Sequence, residues 1–154
     1  MNATATGAET ASFEALTLCL GGEVFAIDAN CVREILDLIP VTDVPGARPF
    51  VNGLVNVRGR VVPLADLRLK FAMPATPPTV DTRIVVVEID LAGEATVVGL
   101  LADKVYEVTE IARSSIESTP EIGMKWRPDF IQGIGKRGCE FIVIPNIVRI
   151  LSSD

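Results

Sequence analysis

Phe50-Val51-Asn52-Gly53-Leu54-Val55-Asn56-Val57-Arg58-Gly59-Arg60-Val61-Val62-Pro63-Leu64-Ala65-Asp66-Leu67 is echoed once along the chain at a constant spacing. Phe50 answers Phe130, Gly53 answers Gly133, Val62 answers Ile142, Leu64 answers Ile144, Asp66 answers Asn146 and Leu67 answers Ile147, each pair 80 residues apart. Upstream, Val24-Phe25-Ala26-Ile27 answers Val97-Val98-Gly99-Leu100, and Val32, Glu34 and Ile35 answer Val105, Glu107 and Val108, all at an offset of 73. The chain is one supersecondary unit built twice.

Each copy reads as short strands punctuated by glycine and proline. Leu16, Leu18 and Leu20 alternate with Ala15, Thr17 and Cys19, and Gly21-Gly22 turns the chain into Glu23-Val24-Phe25-Ala26-Ile27, a hairpin. Asp28 caps a single helical turn over Ala29 to Val32, and an extended stretch from Glu34 to Val41 ends near Val44-Pro45-Gly46. Val51 to Val57 and Val61 to Leu64 form two strands joined by the tight turn Arg58-Gly59, and Asp66 to Phe71 closes the lobe with a helical turn. Residues 72–81, with Pro74, Pro77 and Pro78, form a linker. Arg83 to Ile89 is β-branched and almost continuously apolar, a strand buried on both faces, and Ala92-Gly93-Glu94 turns it into Thr96 to Leu101. Thr109 to Arg127 is polar and holds Ser114-Ser115, Pro120 and Gly123, so it reads as a connecting excursion. Phe130 to Lys136, the turn Arg137-Gly138 and Glu140 to Ile144 repeat the strand pair, and Pro145 opens a terminal helix. The expected class is all-β, one domain over 13–154 of two small intertwined barrels related by a pseudo-twofold, about 13–71 and 82–154, behind a flexible tail over 1–12.

Lobes of this size bury too small a share of their surface to stand alone, so they are expected to share an apolar seam, a natural place for a groove. The 154 residues are 49% hydrophobic and 22% charged, a globular composition. A formal charge of −6, with no basic run longer than Lys136-Arg137, leaves no phosphate-neutralising footprint for nucleic acid. No segment approaches the roughly 20 apolar residues of a spanning helix, and Met1 to Ser12 is small and polar, so a soluble intracellular protein without membrane insertion is expected. Cys19, Cys31 and Cys139 have no C-x-x-C spacing and read as reduced structural residues. With no histidine at all, the chain lacks the commonest general base and metal ligand. No catalytic residue, metal or cofactor is expected.

Other chemistry gains nothing from the residues. Asp37 with Asp43, or Glu107 with Glu110, are carboxylates on turns of an acidic chain, and their spacing converges on no pocket. Ser114 and Ser115 have no histidine base, and Lys104 and Lys125 sit in no nucleophile motif. Gly133-Ile134-Gly135 lies in a strand pattern without the helix that would hold phosphate, so a bulge or a close backbone approach is expected there. Binding remains as the default class. Arg58, beside Gly59 at the tip of an apolar strand pair, is either a solvated turn residue or a fork for a carboxylate of this chain or a partner.

Phe50-Val51-Asn52-Gly53, then Asn56-Val57-Arg58-Gly59, then Val62-Pro63-Leu64-Ala65-Asp66-Leu67-Arg68 resembles the compound signature of the CheW-type chemotaxis coupling proteins. Phe25-Ala26-Ile27-Asp28, Val32-Arg33-Glu34-Ile35 and Phe130-Ile131-Gln132-Gly133-Ile134-Gly135 extend the resemblance over nearly the whole chain from about residue 13. It implies two five-stranded SH3-like barrels about a common core and no enzymatic activity. It also implies a cytoplasmic adaptor, associated with receptor arrays at the inner face of the membrane. Such an adaptor bridges the cytoplasmic tip of a chemoreceptor to the regulatory domain of the histidine kinase CheA. Val32, Glu34, Asn56, Arg58 and Gly59 match positions near the receptor-contacting groove, with Glu34 and Arg58 as its ion pair, and Val41 and Pro45 match the kinase-facing end of lobe one. With the sequence ending at Asp154, a longer C-terminal helix of some relatives is expected to be missing, and a stand-alone coupler is expected rather than a receiver-fused relative or a fragment of the kinase.

At the offset of 80, Asn56 and Arg58 fall on Lys136 and Gly138, so the frame is duplicated while this polar turn is not. That contrast points to a specialised first turn. Two other readings stay open: a coupler of a non-chemotaxis chemosensory pathway, and an enzyme built on Ser114 or Ser115, which would show a deep pocket of convergent polar groups.

Overall fold

The structure, a computed structural model, describes residues 12–46, 51–117, 127–137 and 140–152. The expected tail, Ser12 apart, lies outside the described residues, as do Phe50, Gly138 and Cys139. The first repeat runs β1 (Ser12–Leu20), β2 (Glu23–Asp28), β3 (Val32–Asp37), β4 (Val51–Val57), β5 (Arg60–Ala65) and α1 (Leu67–Lys70). The second runs β6 (Arg83–Leu91), β7 (Glu94–Ala102), β8 (Lys104–Ala112), β9 (Ile131–Arg137), β10 (Glu140–Pro145) and α2 (Ile147–Ser152).

Two five-stranded sheets result, in the orders β8-β1-β2-β10-β9 and β3-β6-β7-β5-β4. Each strand of one sheet has its counterpart from the other repeat at the same place in the other. Strands are exchanged between the two repeats. Each sheet combines the first hairpin of one repeat with the last three strands of the other. The physical reason lies in the hairpins. β6 is buried over Ile84–Val87 and pairs with β7 along one edge, from Arg83↔Ala102 to Leu91↔Glu94. Its other edge would leave buried N–H and C=O groups unpaired, and β3 covers them, with Ile35 opposite Val85 and Leu36 opposite Ile84. β8 does the same for β1.

Among the described residues three apolar clusters follow from this exchange. The largest fills the seam and draws Leu16, Phe25 and Phe71 from the first repeat and Val85, Phe130 and Ile150 from the second. The Phe71 ring lies 5.3 Å from that of Phe25, tilted by 46°, and meets Phe130 edge-on at 6.2 Å. Smaller clusters around Val55 and Ile84, and around Ala26 and Ile142, fill the individual barrels. The expected shared seam is thus the main core.

The helical turns are capped as a pair. Asp66 Oδ1 accepts from the Arg68 N–H at 3.0 Å, and Asn146 Oδ1 accepts from the Arg149 N–H at 3.1 Å. Asp28 likewise caps the 3-10 turn Ala29–Cys31, through the Asn30 N–H at 2.9 Å. Pro145 does not open α2; it closes β10, and Asn146 takes the cap. The polar run from Thr109 does not begin an excursion either. β8 continues to Ala112 because β1 offers a ladder partner at each step, Ala15↔Thr109 and Phe13↔Ile111, and tertiary pairing overrides local propensity.

Arg68 locks the seam from one side. Its guanidinium is buried against Asp66 (Nε–Oδ1 2.9 Å, Nη2–Oδ2 2.8 Å) and reaches Asp103 Oδ1 at 2.9 Å. Asp103 Oδ2 in turn accepts the Gly21 N–H at 2.8 Å.

Candidate functional site

The turn between β4 and β5 is built by its own sequence. Arg58 and Gly59 both take left-handed backbone angles, φ 52° and 84°, the type I′ geometry that matches strand twist. Asn56 Oδ1 accepts the Gly59 N–H at 2.8 Å, so Asn56 and Gly59 fold the turn. Arg58 is the residue the turn presents.

Its guanidinium reaches Glu34 on β3, with Nε 3.2 Å from both carboxylate oxygens and Nη2 3.0 Å from Oε1. These hydrogen bonds, and then the carboxylate charge, raise the Arg58 pKa above its ordinary value. The Arg58 side chain is 78% exposed and that of Glu34 24%, so the pair stands at the surface with the carboxylate half sheltered. Glu34 is aimed there by a register shift between Val32 and Glu34 where β3 meets β6.

Beside this pair lies a shallow groove of about 270 Å³, floored by Val57, Val62, Val86 and Val97. A second bridge, Arg33 to Glu88, crosses it, and Arg60 stands at its rim. Glu34, Asn56, Arg58 and Gly59 therefore meet in one corner. Val32 does not join them: it pairs with Val87 and packs half-buried against the seam. Val41 and Pro45 lie away from that corner. Val41 is 37% exposed over Gly53, and Pro45 is exposed in the segment beyond it. Thr42 there exchanges both backbone hydrogen bonds with Leu54, each 2.8 Å.

A Cβ on Gly53 would sit 2.3 Å from the Thr42 carbonyl oxygen, and φ of 147° adds strain for any other residue. Gly53→Ala is expected to cost about 1–3 kcal/mol and to loosen the Thr42–Leu54 bridge. Amide exchange at those two residues checks it, and unchanged protection would refute the close-approach reading. Gly133 repeats the feature, with a Cβ 2.5 Å from Ile116 Cγ2.

The other candidates stay dispersed. Asp37 pairs with Arg83 at 3.5 Å on an open surface, and the Ser115 hydroxyl donates to the Ala112 carbonyl at 2.7 Å. A larger cleft of about 450 Å³ opens beside the seam among Phe13, Ile27, Cys31 and Ile147, but its Asp28 is engaged as a helix cap. Cys19 and Cys31 are free thiols. Among the described residues no cluster of His, Cys, Asp or Glu could hold a metal ion, and no helix is long and apolar enough to cross a membrane. Sequence reading missed Arg33, Arg60 and Glu88. The Arg33–Glu88 bridge spans 55 residues and leaves no local signal.

The sequence and the fold match known proteins. The family model described as CheW-like domain matches residues 14–154. The chain is 32% identical over 146 residues to a chemotaxis protein CheW of Klebsiella aerogenes, covering 95% of this chain and 86% of that one. It is 33% identical over 139 residues to a chemotaxis protein CheW of Bacillus subtilis, covering 90% and 86%. The crystal structure of the scaffolding protein TtCheW from Thermoanaerobacter tengcongensis superposes with a TM-score of 0.81 at 27% identity, over 92% of this chain and 89% of that one.

Proposed function

The chain belongs to the family of CheW-like domains and is a non-catalytic coupling scaffold of chemotaxis; from that premise we propose that it bridges a chemoreceptor's cytoplasmic tip to the regulatory domain of the histidine kinase CheA. It does so in the cytoplasm, within receptor arrays at the inner face of the membrane. Glu34, Asn56, Arg58 and Gly59 form the receptor-facing corner, Val32 supports it from the seam, and Val41 and Pro45 face the kinase.

One observation carries this reading. The unduplicated turn spends two left-handed residues and an asparagine side chain to hold out one arginine, already paired to a half-sheltered carboxylate. A scaffold needs such a fixed, exposed contact, and the barrel's own core does not. Co-sedimentation with a receptor cytoplasmic fragment and with the isolated CheA regulatory domain tests it, and retention by neither would overturn it.

Substituting Arg58 separates contact from folding. Arg58→Asn places the preferred residue of a type I′ turn at the site, so the melting temperature is expected to hold or rise. Receptor binding is expected to fall about tenfold or more, and further with Arg58→Glu, which reverses the charge. Wild-type affinity in the stable Asn variant would remove Arg58 from the contact. Global unfolding of both variants would make it structural.

A further inference from the structure

Resting on the reading that the Arg58 corner meets a receptor, we propose that Arg60 is a specificity-determining residue of the same groove, engaging a carboxylate that the receptor tip supplies. Among the described residues five charged side chains line the groove, and four of them are matched: Arg33 with Glu88, and Arg58 with Glu34. Arg60 makes no ion pair with a described residue. Among the described residues three cations against two carboxylates leave one uncompensated positive charge, on a chain whose formal charge is −6.

That surplus sits over an apolar floor. Val57, Val62 and Val86 are buried, and low-dielectric walls focus the field of a nearby charge rather than screening it. Arg60 is also fixed at its root, opposite Val57 in the first rung of the hairpin, so only its fork has to adapt to a ligand. A carboxylate matches that fork with two parallel hydrogen bonds, whereas a partner lysine or arginine would meet a net positive groove.

The duplication shows that the fold does not require a cation here. At the offset of 80 the residue answering Arg60 is Glu140, which occupies the same rung of the second hairpin, opposite Arg137. One backbone position therefore accepts either sign. The groove itself then selects arginine for what it meets. The occupant is an acidic side chain on the receptor tip.

The test measures binding of a receptor cytoplasmic tip fragment to the full chain, at low and high salt. Wild type is compared with Arg60→Glu, Arg60→Gln, Arg60→Lys and Arg58→Glu, against single Asp→Lys and Glu→Lys variants of the tip. Arg60→Glu is expected to weaken binding about tenfold at low salt and less at high salt, with Arg60→Lys intermediate. One acidic→Lys tip variant is expected to restore binding to Arg60→Glu. Should Arg60→Glu fail to fold, the natively folded Arg60→Gln gives the same reading with a smaller loss. Wild-type affinity in both, alongside a loss in Arg58→Glu, would overturn the role of Arg60 and leave the receptor reading standing. A wild-type chain that does not bind the tip would overturn both.

Discussion

Arg68→Ala is expected to destabilise the fold by about 3–5 kcal/mol, the cost of breaking a buried ion pair from one side. Only 5% of the Arg68 side chain and 3% of Asp66 is exposed, so neither partner regains water when the other is removed. The loss is shared among segments far apart in sequence. Asp66 loses two hydrogen bonds and Asp103 one, and the Thr76 carbonyl and hydroxyl lose contacts at 3.3 and 3.2 Å. Asp103 is also the acceptor for the Gly21 N–H, so the β1–β2 turn loosens with it. Arg68→Lys keeps the charge without the planar fork and is expected to recover less than half of the loss. Denaturant titration measures both, and a change below about 1 kcal/mol for Arg68→Ala would place this cluster with ordinary surface bridges.

Opening the backbone within residues 72–81 is expected to leave neither half folded, and mixing the halves is expected to restore the molecule. Alone, the first half would hold β1 and β2 without β8, β9 and β10, and β3 without β6. The second half would lose the reciprocal set. The seam cluster, which takes Phe25 and Phe71 from one half and Phe130 and Ile150 from the other, would be exposed in both. Circular dichroism and amide spectra of each half, then of the mixture, decide the matter. A half that melts cooperatively alone would contradict the strand exchange as the source of stability.

Much of this was legible in the residues. The glycine turns at Gly21-Gly22, Arg58-Gly59 and Ala92-Gly93 locate three hairpins, because tight turns need left-handed backbone that few residues adopt, and all three do so here. The echo of Asp66 in Asn146 marks two equivalent caps, since each side chain offers the one acceptor oxygen the first helical turn lacks. Glu34 with Arg58 came from a family resemblance, and the geometry places the two in contact. The Arg33–Glu88 bridge and the surplus at Arg60 were invisible, because they depend on which strands become neighbours.

The sequence by itself determined the repeat, the strands, the turns and the residue the first turn holds out. These are local: periodicity, backbone preference and capping act over a few residues. Tertiary structure alone decided which strands of the two repeats become neighbours, that β8 runs through a polar stretch, and that Arg68 is buried. Those outcomes rest on pairing across 50 or more residues, as between Val32 and Val87 or Phe13 and Ile111. Such pairing is set by covering the open edges of β1 and β6 and burying one shared seam, a condition no short window of sequence contains.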